Sequence, residues 1–195
     1  MDILESDSRT RILDVALQLF DQQGYAGTSM EAIRKAAGFR TKSSLYAHFP
    51  SKQSLSEALL ERILAEETAA LAPCLKPESQ ATLDDVLNLA ERLVTWGLTH
   101  QAAYRFCFLQ WHGDTPRPPR TDAAVEVAPQ WAIAVLSRLQ AEGAPLRAMD
   151  PAFLVNACYG LINQVIVSSP PGLSPDRIAE LARQTRWLCG VIMRA

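Results

Sequence analysis

The sequence predicts an all-α fold, and three observations support it. Apolar residues recur at steps of three and four along almost the whole chain, and no long β-branched alternating run interrupts them. Hydrophobic residues make up 48% of the 195 residues, enough for a sizeable core. Residues 28–50, TSMEAIRKAAGFRTKSSLYAHFP, have the pattern of a helix, a Gly-containing turn and a short helix. That order is typical of a helix-turn-helix.

Turn signals divide the first fifty residues into three predicted helices. The first spans residues 8–23, and Gly24 is suited to end it because glycine readily adopts the left-handed conformation of a helix C-terminus. The second begins with Thr28 as its cap and has Glu31 three residues later, which is the pattern of a capping box. Gly38 ends this second helix.

The third predicted helix is short and polar. Thr41 caps it, and it runs to about Phe49. Leu45 and Phe49 lie one turn apart and are expected to face inward. The other positions then face away from the core, and they include the N-terminal turn that usually enters the major groove of DNA.

The remaining chain divides at a proline-rich segment. One long helix is predicted over residues 51–71, and PCLKPESQ at 73–80 marks a boundary. We therefore expect a helix-turn-helix domain over 1–50, a connecting helix over 51–71, and a second helical domain over 72–195. Its helices are predicted near 82–98, 100–112, 122–142, 150–168 and 174–194.

Positive charge is concentrated around the short helix. Residues 34–53 contain no acidic side chain, although the whole chain has a net charge of −2. Any DNA site is therefore a local patch, which attracts phosphates through counterion release. The basic residues of the segment are Arg34, Lys35, Arg40, Lys42 and Lys52.

Residues 9–62 resemble the N-terminal domain of the TetR/AcrR family of transcriptional regulators. The matching elements are the ILDVALQLF helix, GYAGTSMEAI, AAG, LYAHFPSK and the helix that follows. The resemblance implies a homodimer with a three-helix DNA-binding head and a larger C-terminal ligand-binding and dimerisation domain. It implies a repressor, not an enzyme, that a small-molecule effector releases from palindromic double-stranded DNA. Family DNA contacts fall here on Thr28, Thr41, Lys42, Ser43, Ser44, Tyr46, His48 and Lys52.

The turn before the short helix departs from the family pattern. Six residues separate Gly38 from Leu45, where the family usually has five. Aligning Thr41 with the usual helix cap places the extra residue in the turn. Arg40 is then added to the candidate DNA contacts.

The last two predicted helices are candidates for a homodimer interface. The helix at 150–168 is apolar on more than one face, so it must be covered on two sides. The final helix has an apolar seam at steps of three and four. We expect these helices from two subunits to form a four-helix interface. The seam consists of Ile178, Leu181, Thr185, Leu188 and Ile192.

An aromatic-rich middle suggests a pocket for a largely apolar effector, although for any single aromatic core packing is the better explanation. Amides in an apolar helix need partners, so Asn156, Asn163 and Gln164 line a pocket, bond across the dimer or bond inside the core. The candidate pocket residues are Trp96, Phe106, Phe108, Trp111, Trp131, Asn156, Tyr159 and Asn163.

Other functions have weaker support. The four cysteines form no CxxC pair and follow no signal peptide, which favours reduced thiols in a cytoplasmic protein. His100, Cys107 and His112 match no standard metal spacing, and neither a cofactor nor a membrane partner is expected. An enzyme with an appended helix-turn-helix would rest on His112 and Asp114 alone. A helical dimer acting through protein partners is the other alternative.

Overall fold

The computed structural model describes the backbone at residues 2–110 and 119–195 and the side chains at 7–108 and 127–195. Over these ranges the regular structure is helical apart from one isolated antiparallel bridge between Leu146 and Arg194, so the all-α prediction is confirmed. The α-helices are α1 (Asp2–Gly27), α2 (Met30–Ala36), α3 (Lys42–His48), α4 (Lys52–Leu71), α5 (Leu83–Thr99), α6 (Gln101–Arg105), α7 (Pro119–Ala141), α8 (Pro151–Ser168) and α9 (Pro175–Met193).

The contacts divide the chain into two compact units. The head unit comprises Met1–Ala65 and Ala102–Thr121, and the body unit comprises Glu66–Gln101 and Asp122–Ala195. The division falls inside α4, whereas the sequence places the boundary at the prolines that follow this helix. The head unit also takes in a segment that lies late in the sequence. There, the π-helical turn Phe106–Gln110 continues α6 and packs against α1.

The helix boundaries of the head follow from glycines and caps. Gly24 has φ 72° and ψ 165°, which kinks α1 at the predicted stop, and helical structure resumes as far as Gly27. The predicted cap of α2 is wrong. Ser29 holds that position, and its Oγ accepts a hydrogen bond from the amide of Ala32 at 3.1 Å. Thr41 caps α3 as predicted.

The core of the head is a set of inward-facing aliphatic and aromatic side chains. Leu45 and Phe49, the two α3 residues expected to face inward, are buried. They pack against apolar residues of the other helices of the head, and this shared core holds the two short helices α2 and α3 in place. The core residues include Ile12, Ala16, Phe20, Ile33, Leu55 and Leu59.

The body unit is organised around α5, which packs against both α8 and α9. A capping box starts α5: the amide of Thr82 donates to Asp85 at 2.9 Å, and the amide of Asp85 donates to Thr82. Lys76 pairs with the same carboxylate at 2.6 Å. These hydrogen bonds, with that of Lys76 the strongest, lower the pKa of Asp85 to about 2.

The last two helices each have one buried and one exposed face. α8 is long and apolar enough to pass a test for a membrane span, with a mean hydropathy of 1.3 over 18 residues. Its buried stripe faces the body core, and its opposite face is open within one subunit. Trp187 on α9 is 65% exposed. The exposed apolar side chains of these two helices are Phe153, Val167, Trp187, Leu188 and Val191.

Candidate nucleic-acid interface and effector cavity

The long turn between α2 and α3 is held by the side chain of Arg34. Its Nη1 donates to the carbonyl oxygen of Phe39 and, at 3.1 Å, to that of Arg40. Gly38 adopts φ 77°, a conformation that a residue with a Cβ rarely takes. The extra residue is thus accommodated by a left-handed glycine and by one guanidinium that satisfies two turn carbonyls.

Most of the charge on Arg34 is compensated locally. Glu31, one turn earlier on α2, accepts from Nε at 3.0 Å and from Nη2 at 2.8 Å. The hydrogen bond from Arg34 holds the pKa of Glu31 below its ordinary value. Arg34 therefore acts as a structural brace between α2 and the turn, and it adds little to the positive face.

Three hydroxyls meet at the start of α3. Thr41 Oγ1 accepts from the amide of Ser44 at 3.3 Å, and it lies 2.6 Å from Ser44 Oγ and 3.1 Å from Ser43 Oγ. All three side chains are exposed. Hydroxyls can donate or accept, so this cluster can bind base edges or phosphate oxygens without a fixed polarity.

Some of the exposed cations of the head flank this cluster along the chain. Arg40 and Lys42 are exposed, and among the described side chains neither forms an ion pair. Lys35 is also exposed, 3.9 Å from Glu31. Tyr46, 45% exposed, is one turn beyond Lys42 on α3. Arg40, Lys42, Ser43, Ser44 and Tyr46 thus form one polar face, which we call the α3 face.

Two predicted contacts lie away from the α3 face. Thr28 is 1% exposed, and its hydroxyl donates to the carbonyls of Gly24 at 2.9 Å and Leu19 at 3.2 Å. Lys52 Nζ donates to the carbonyls of Tyr25 at 2.8 Å and Thr28 at 2.9 Å. Both side chains tie the corner between α1 and α2 together, and neither presents a free polar group as the structure stands.

His48 is held at the other end of α3. Its ring lies edge-on to Phe39, with 5.8 Å between centroids, and its carbonyl accepts from Arg9 at 3.3 Å. The Arg9 guanidinium also covers the ring of Phe49 at 4.4 Å. The histidine is half-buried, so its reach towards a DNA flank stays a prediction.

The body unit contains an apolar cavity. It is open to solvent: the space within it is about 400 Å³ when the solvent at its mouth is counted, and its lining comes from α4, α5, α7, α8 and α9. A second open hollow, about 320 Å³ with the solvent at its mouth, shares Leu71, Ala128 and Tyr159 with it. Aliphatic side chains dominate the larger cavity, which is lined by Leu71, Val86, Leu89, Ala90, Leu93, Ala128, Pro129, Ala132, Val155, Cys158, Tyr159, Ile162 and Met193.

Tyr159 is the one predicted pocket residue among those lining residues. Trp96 stacks on His100, and Trp131 donates its indole N–H to the carbonyl of Lys76 at 2.7 Å. Phe106 stacks on Phe20, and Phe108 packs on Tyr104; all four belong to the head unit. These side chains fit the core-packing alternative.

The three amide side chains of α8 differ in their exposure to solvent. Asn156 and Gln164 are exposed, so bonding inside the core is the wrong alternative for both. Asn163 is half-buried and has an interaction partner. Trp111, His112 and Asp114 lie outside the described residues. Within the ranges with described side chains, no group of three or more His, Cys, Asp or Glu is placed to hold a metal ion.

Sequence reasoning missed Glu67, which lines the smaller hollow. The residue is 7% exposed, and burial alone raises its pKa to about 7. A signal was present, because Ile63, Glu67 and Leu71 follow each other at steps of four on one stripe of α4. Ile63 and Leu71 are both buried, and a carboxyl between them is out of place in an apolar stripe.

The head matches known regulators in sequence. Residues 12–59 match the family described as bacterial regulatory proteins, tetR family. The HTH-type transcriptional regulator AcrR of Shigella flexneri is 47% identical over 55 residues, 28% of this chain and 25% of that protein. The HTH-type transcriptional regulator UidR of Escherichia coli strain K12 is 34% identical over 105 residues, 52% of this chain and 50% of that protein.

The likeness of fold extends further. The TetR family transcriptional regulator PfmR from Thermus thermophilus is 25% identical, with a TM-score of 0.77 over 92% of this chain and 96% of that one. Fold and head together define a helical protein of the helix-turn-helix regulator class. Residues 12–59, about a quarter of the chain, carry the match to the tetR family of bacterial regulatory proteins, and a solved tetR-family structure shares the fold of the chain. It spans only a quarter to a half of the length of the two curated relatives.

Lys52 is predicted to stabilise the head. Replacing Lys52 by Met removes two hydrogen bonds to partly buried carbonyls, which costs roughly 1–3 kcal/mol, although the Tyr25 carbonyl keeps the amide of Thr28 as a donor. Urea unfolding measures the change. Lys42→Met is the matched control: that side chain is exposed, so its unfolding free energy should stay within about 0.5 kcal/mol of the parent. Equal unfolding curves for the two variants would contradict the assignment.

Glu67 is predicted to destabilise the body at neutral and higher pH. Its pKa is about 7 when folded and 4.5 ordinarily, so the folded state retains a proton that the unfolded state loses. The penalty is absent below pH 4.5, grows up to pH 7 and is constant above, where it reaches roughly 3 kcal/mol. The stability gained by Glu67→Gln should therefore be larger at pH 8 than at pH 4.5 in chemical denaturation. Parallel stability profiles for parent and variant would rule this out.

Proposed function

We propose that the chain is a dimeric transcriptional repressor that leaves a palindromic operator when a small-molecule effector binds in the body cavity. The α3 face is the observation that carries this proposal. It combines two unpaired cations, two exposed serine hydroxyls and an exposed tyrosine on one short helix of a tetR-family head.

Each group of the α3 face has a chemical task on DNA. Lys42 reaches guanine acceptors or a phosphate, and Ser43 and Ser44 bond to base edges or backbone. Tyr46 donates its hydroxyl to a flanking phosphate, and Arg40 extends the positive surface along the turn. Thr41 positions this set by capping α3, and His48 supports the flank. Thr28 and Lys52 contribute by fixing the corner on which α2 starts.

A dimer follows from the exposed apolar faces of α8 and α9. Side chains as large as Phe153 and Trp187 are more than half exposed in a single subunit. A contiguous apolar surface of this kind marks an interface with another protein. Two heads in a symmetric dimer match two operator half-sites, whose centres lie about 34 Å apart on one face of the duplex.

The effector acts through a difference in affinity between two states of the protein. A ligand that prefers the state with lower DNA affinity weakens DNA binding by the same coupling free energy. Leu71 at the end of α4 lines the cavity, and the same helix begins at Lys52 in the head unit. Because α4 is unbroken between these residues, we propose that effector binding displaces it and moves the heads.

The two curated relatives are transcriptional regulators, which supports a regulator over an enzyme with an appended helix-turn-helix. Salt-dependent operator binding separates the repressor from a helical dimer that acts through protein partners alone. A cytoplasmic location accompanies the proposed function.

DNA binding is tested with the promoter region next to the chain's own gene. The parent should bind in a gel-shift assay, and affinity should fall with salt. The double variant Lys42→Ala/Tyr46→Ala should bind at least roughly tenfold more weakly, and loss of Lys42 should lower the salt slope by about one. Arg177→Ala, which removes an exposed cation of the body unit, is the control and should bind like the parent. Undiminished affinity of the double variant would refute the role of the α3 face.

Dimerisation is tested on α9. The double variant Trp187→Glu/Val191→Glu places charge on two exposed apolar positions one turn apart, so it should sediment as a monomer while the parent sediments as a dimer. Its circular dichroism should be unchanged, because neither side chain belongs to the core. Glu61→Ala, exposed on α4, is the control and should remain dimeric. A dimeric double variant would exclude this face as the interface.

A further inference from the structure

Glu67 is a buried carboxyl with no protein partner. It is 93% buried by accessible surface, and no described side chain donates a hydrogen bond or forms an ion pair with it. The flanking residues of its stripe, Ile63 and Leu71, are apolar. An apolar side chain at this position would complete the stripe without cost, whereas an unpaired carboxyl loses its hydration and gains nothing from the fold.

The described side chains that line the hollow around Glu67 include no cation. They consist of Thr68 and Leu71 from α4, Leu75 from the segment that follows, Val127 and Ala128 from α7, and Tyr159 from α8. The adjoining larger cavity adds Cys158 as its one further titratable group, and its other lining residues are apolar. Among the described lining residues of these elements none carries a positive charge, so a cationic ligand would supply the counter-charge that the ionised carboxylate lacks there.

We propose that Glu67 is the recognition residue for an organic cation: a protonated or quaternary amine joined to an apolar body. The cationic group would lie against the Glu67 carboxylate in the smaller hollow, and the apolar body would occupy the aliphatic cavity beside it. The two spaces are contiguous in their lining, since Leu71, Ala128 and Tyr159 contribute to both.

The chemistry of the site favours this class over the alternatives. The face of the Tyr159 ring attracts a cation and repels an anion, as the carboxylate does. Anionic effectors would meet a negative group with no compensating cation among the described lining residues. A bare metal ion would find one carboxylate where hard cations take six or more oxygen ligands. An organic cation needs only one counter-charge and an apolar surface, and both are present.

The titration of Glu67 makes the affinity of the site for a permanent cation depend on pH. Burial raises the pKa of Glu67 to about 7, so in the empty site the carboxyl is close to half protonated at neutral pH. A permanent cation binds the ionised form and displaces the proton. Its affinity should therefore rise about tenfold between pH 6 and pH 8, as the ionised fraction does. A quaternary ammonium cannot titrate, so the change is due to the protein.

The inference deepens the proposed function, because it names the class of the effector. Its test uses direct binding in the absence of DNA. Isothermal titration calorimetry compares benzyltrimethylammonium with neopentylbenzene, which has the same shape and a carbon in place of the charged nitrogen. The proteins are the full-length parent, Glu67→Gln and Glu66→Gln. The last removes the neighbouring, exposed carboxylate and serves as the matched control.

We expect Glu67 to affect the binding of the charged ligand and not that of its neutral analogue. Benzyltrimethylammonium should bind the parent and Glu66→Gln alike, with the pH dependence given above, and Glu67→Gln should lose at least about tenfold in affinity together with that pH dependence. Neopentylbenzene should bind the parent and Glu67→Gln equally. A thermal unfolding curve for Glu67→Gln shows that the variant is folded.

Two outcomes would overturn the inference. One is benzyltrimethylammonium binding that is unchanged in Glu67→Gln, and the other is no binding of this cation to the parent. The operator assay separates this site from the proposed function. If the cation binds through Glu67 but operator affinity stays constant, the effector role fails and the site stands. If the operator is never bound, the repressor proposal fails independently of the calorimetry.

Discussion

The position of α3 depends on the burial of Leu45 and Phe49. A helix of seven residues is far below the ~12 residues at which isolated helices become even marginally stable. Its two inward side chains are almost completely buried against the rest of the head, and this packing supplies the stability that the helix lacks. Because burial fixes which side faces inward, it also fixes which side chains remain for the α3 face.

Several secondary interactions then hold this arrangement. Arg34 satisfies the carbonyls of the long turn, and Arg9 covers Phe49 from α1. Lys52 ties the start of α4 to the corner between α1 and α2. Arg34, Arg9 and Lys52 thus stabilise the fold of the head. Composition alone would have counted Arg34 and Lys52, which lie in the basic segment 34–53, as surface charge.

The sequence predicted best the features that depend on residues close together along the chain, such as helix positions and caps. Helix periodicity placed the helices within a few residues over the described part of the chain, except that α1 begins at Asp2, well before the predicted start at residue 8. The cap at Thr41 and the inward pair Leu45 and Phe49 were identified correctly. The cap of α2 was misplaced by one residue, because Thr28 and Ser29 are both good caps. The choice between them depends on the Gly24 and Leu19 carbonyls, to which the Thr28 hydroxyl donates.

The cavity was harder to predict, because it is a property of packing between helices distant in sequence. The sequence suggested aromatic residues as the pocket lining. Trp131, however, donates a hydrogen bond to the Lys76 carbonyl, and the cavity is lined mainly by aliphatic side chains that no sequence pattern singles out. The residue that distinguishes the smaller hollow is Glu67 of α4, which belongs to no recognisable motif. Its position in the apolar stripe of α4 was visible in the sequence, but its lack of a partner required the structure.

The local compensation of charge in the head also affects how the protein meets DNA. Arg34 is paired with Glu31, and Lys52 is turned inward onto carbonyls, so Arg40 and Lys42 are the exposed cations of the α3 face in a chain whose net charge is −2. The chain as a whole is therefore not a polycation, and the positive charge of the α3 face is local. In the proposed complex, the negative field of a duplex attracts this face before contact. This attraction acts over little more than a Debye length, about 8 Å at physiological ionic strength, so we expect it to weaken as salt is added.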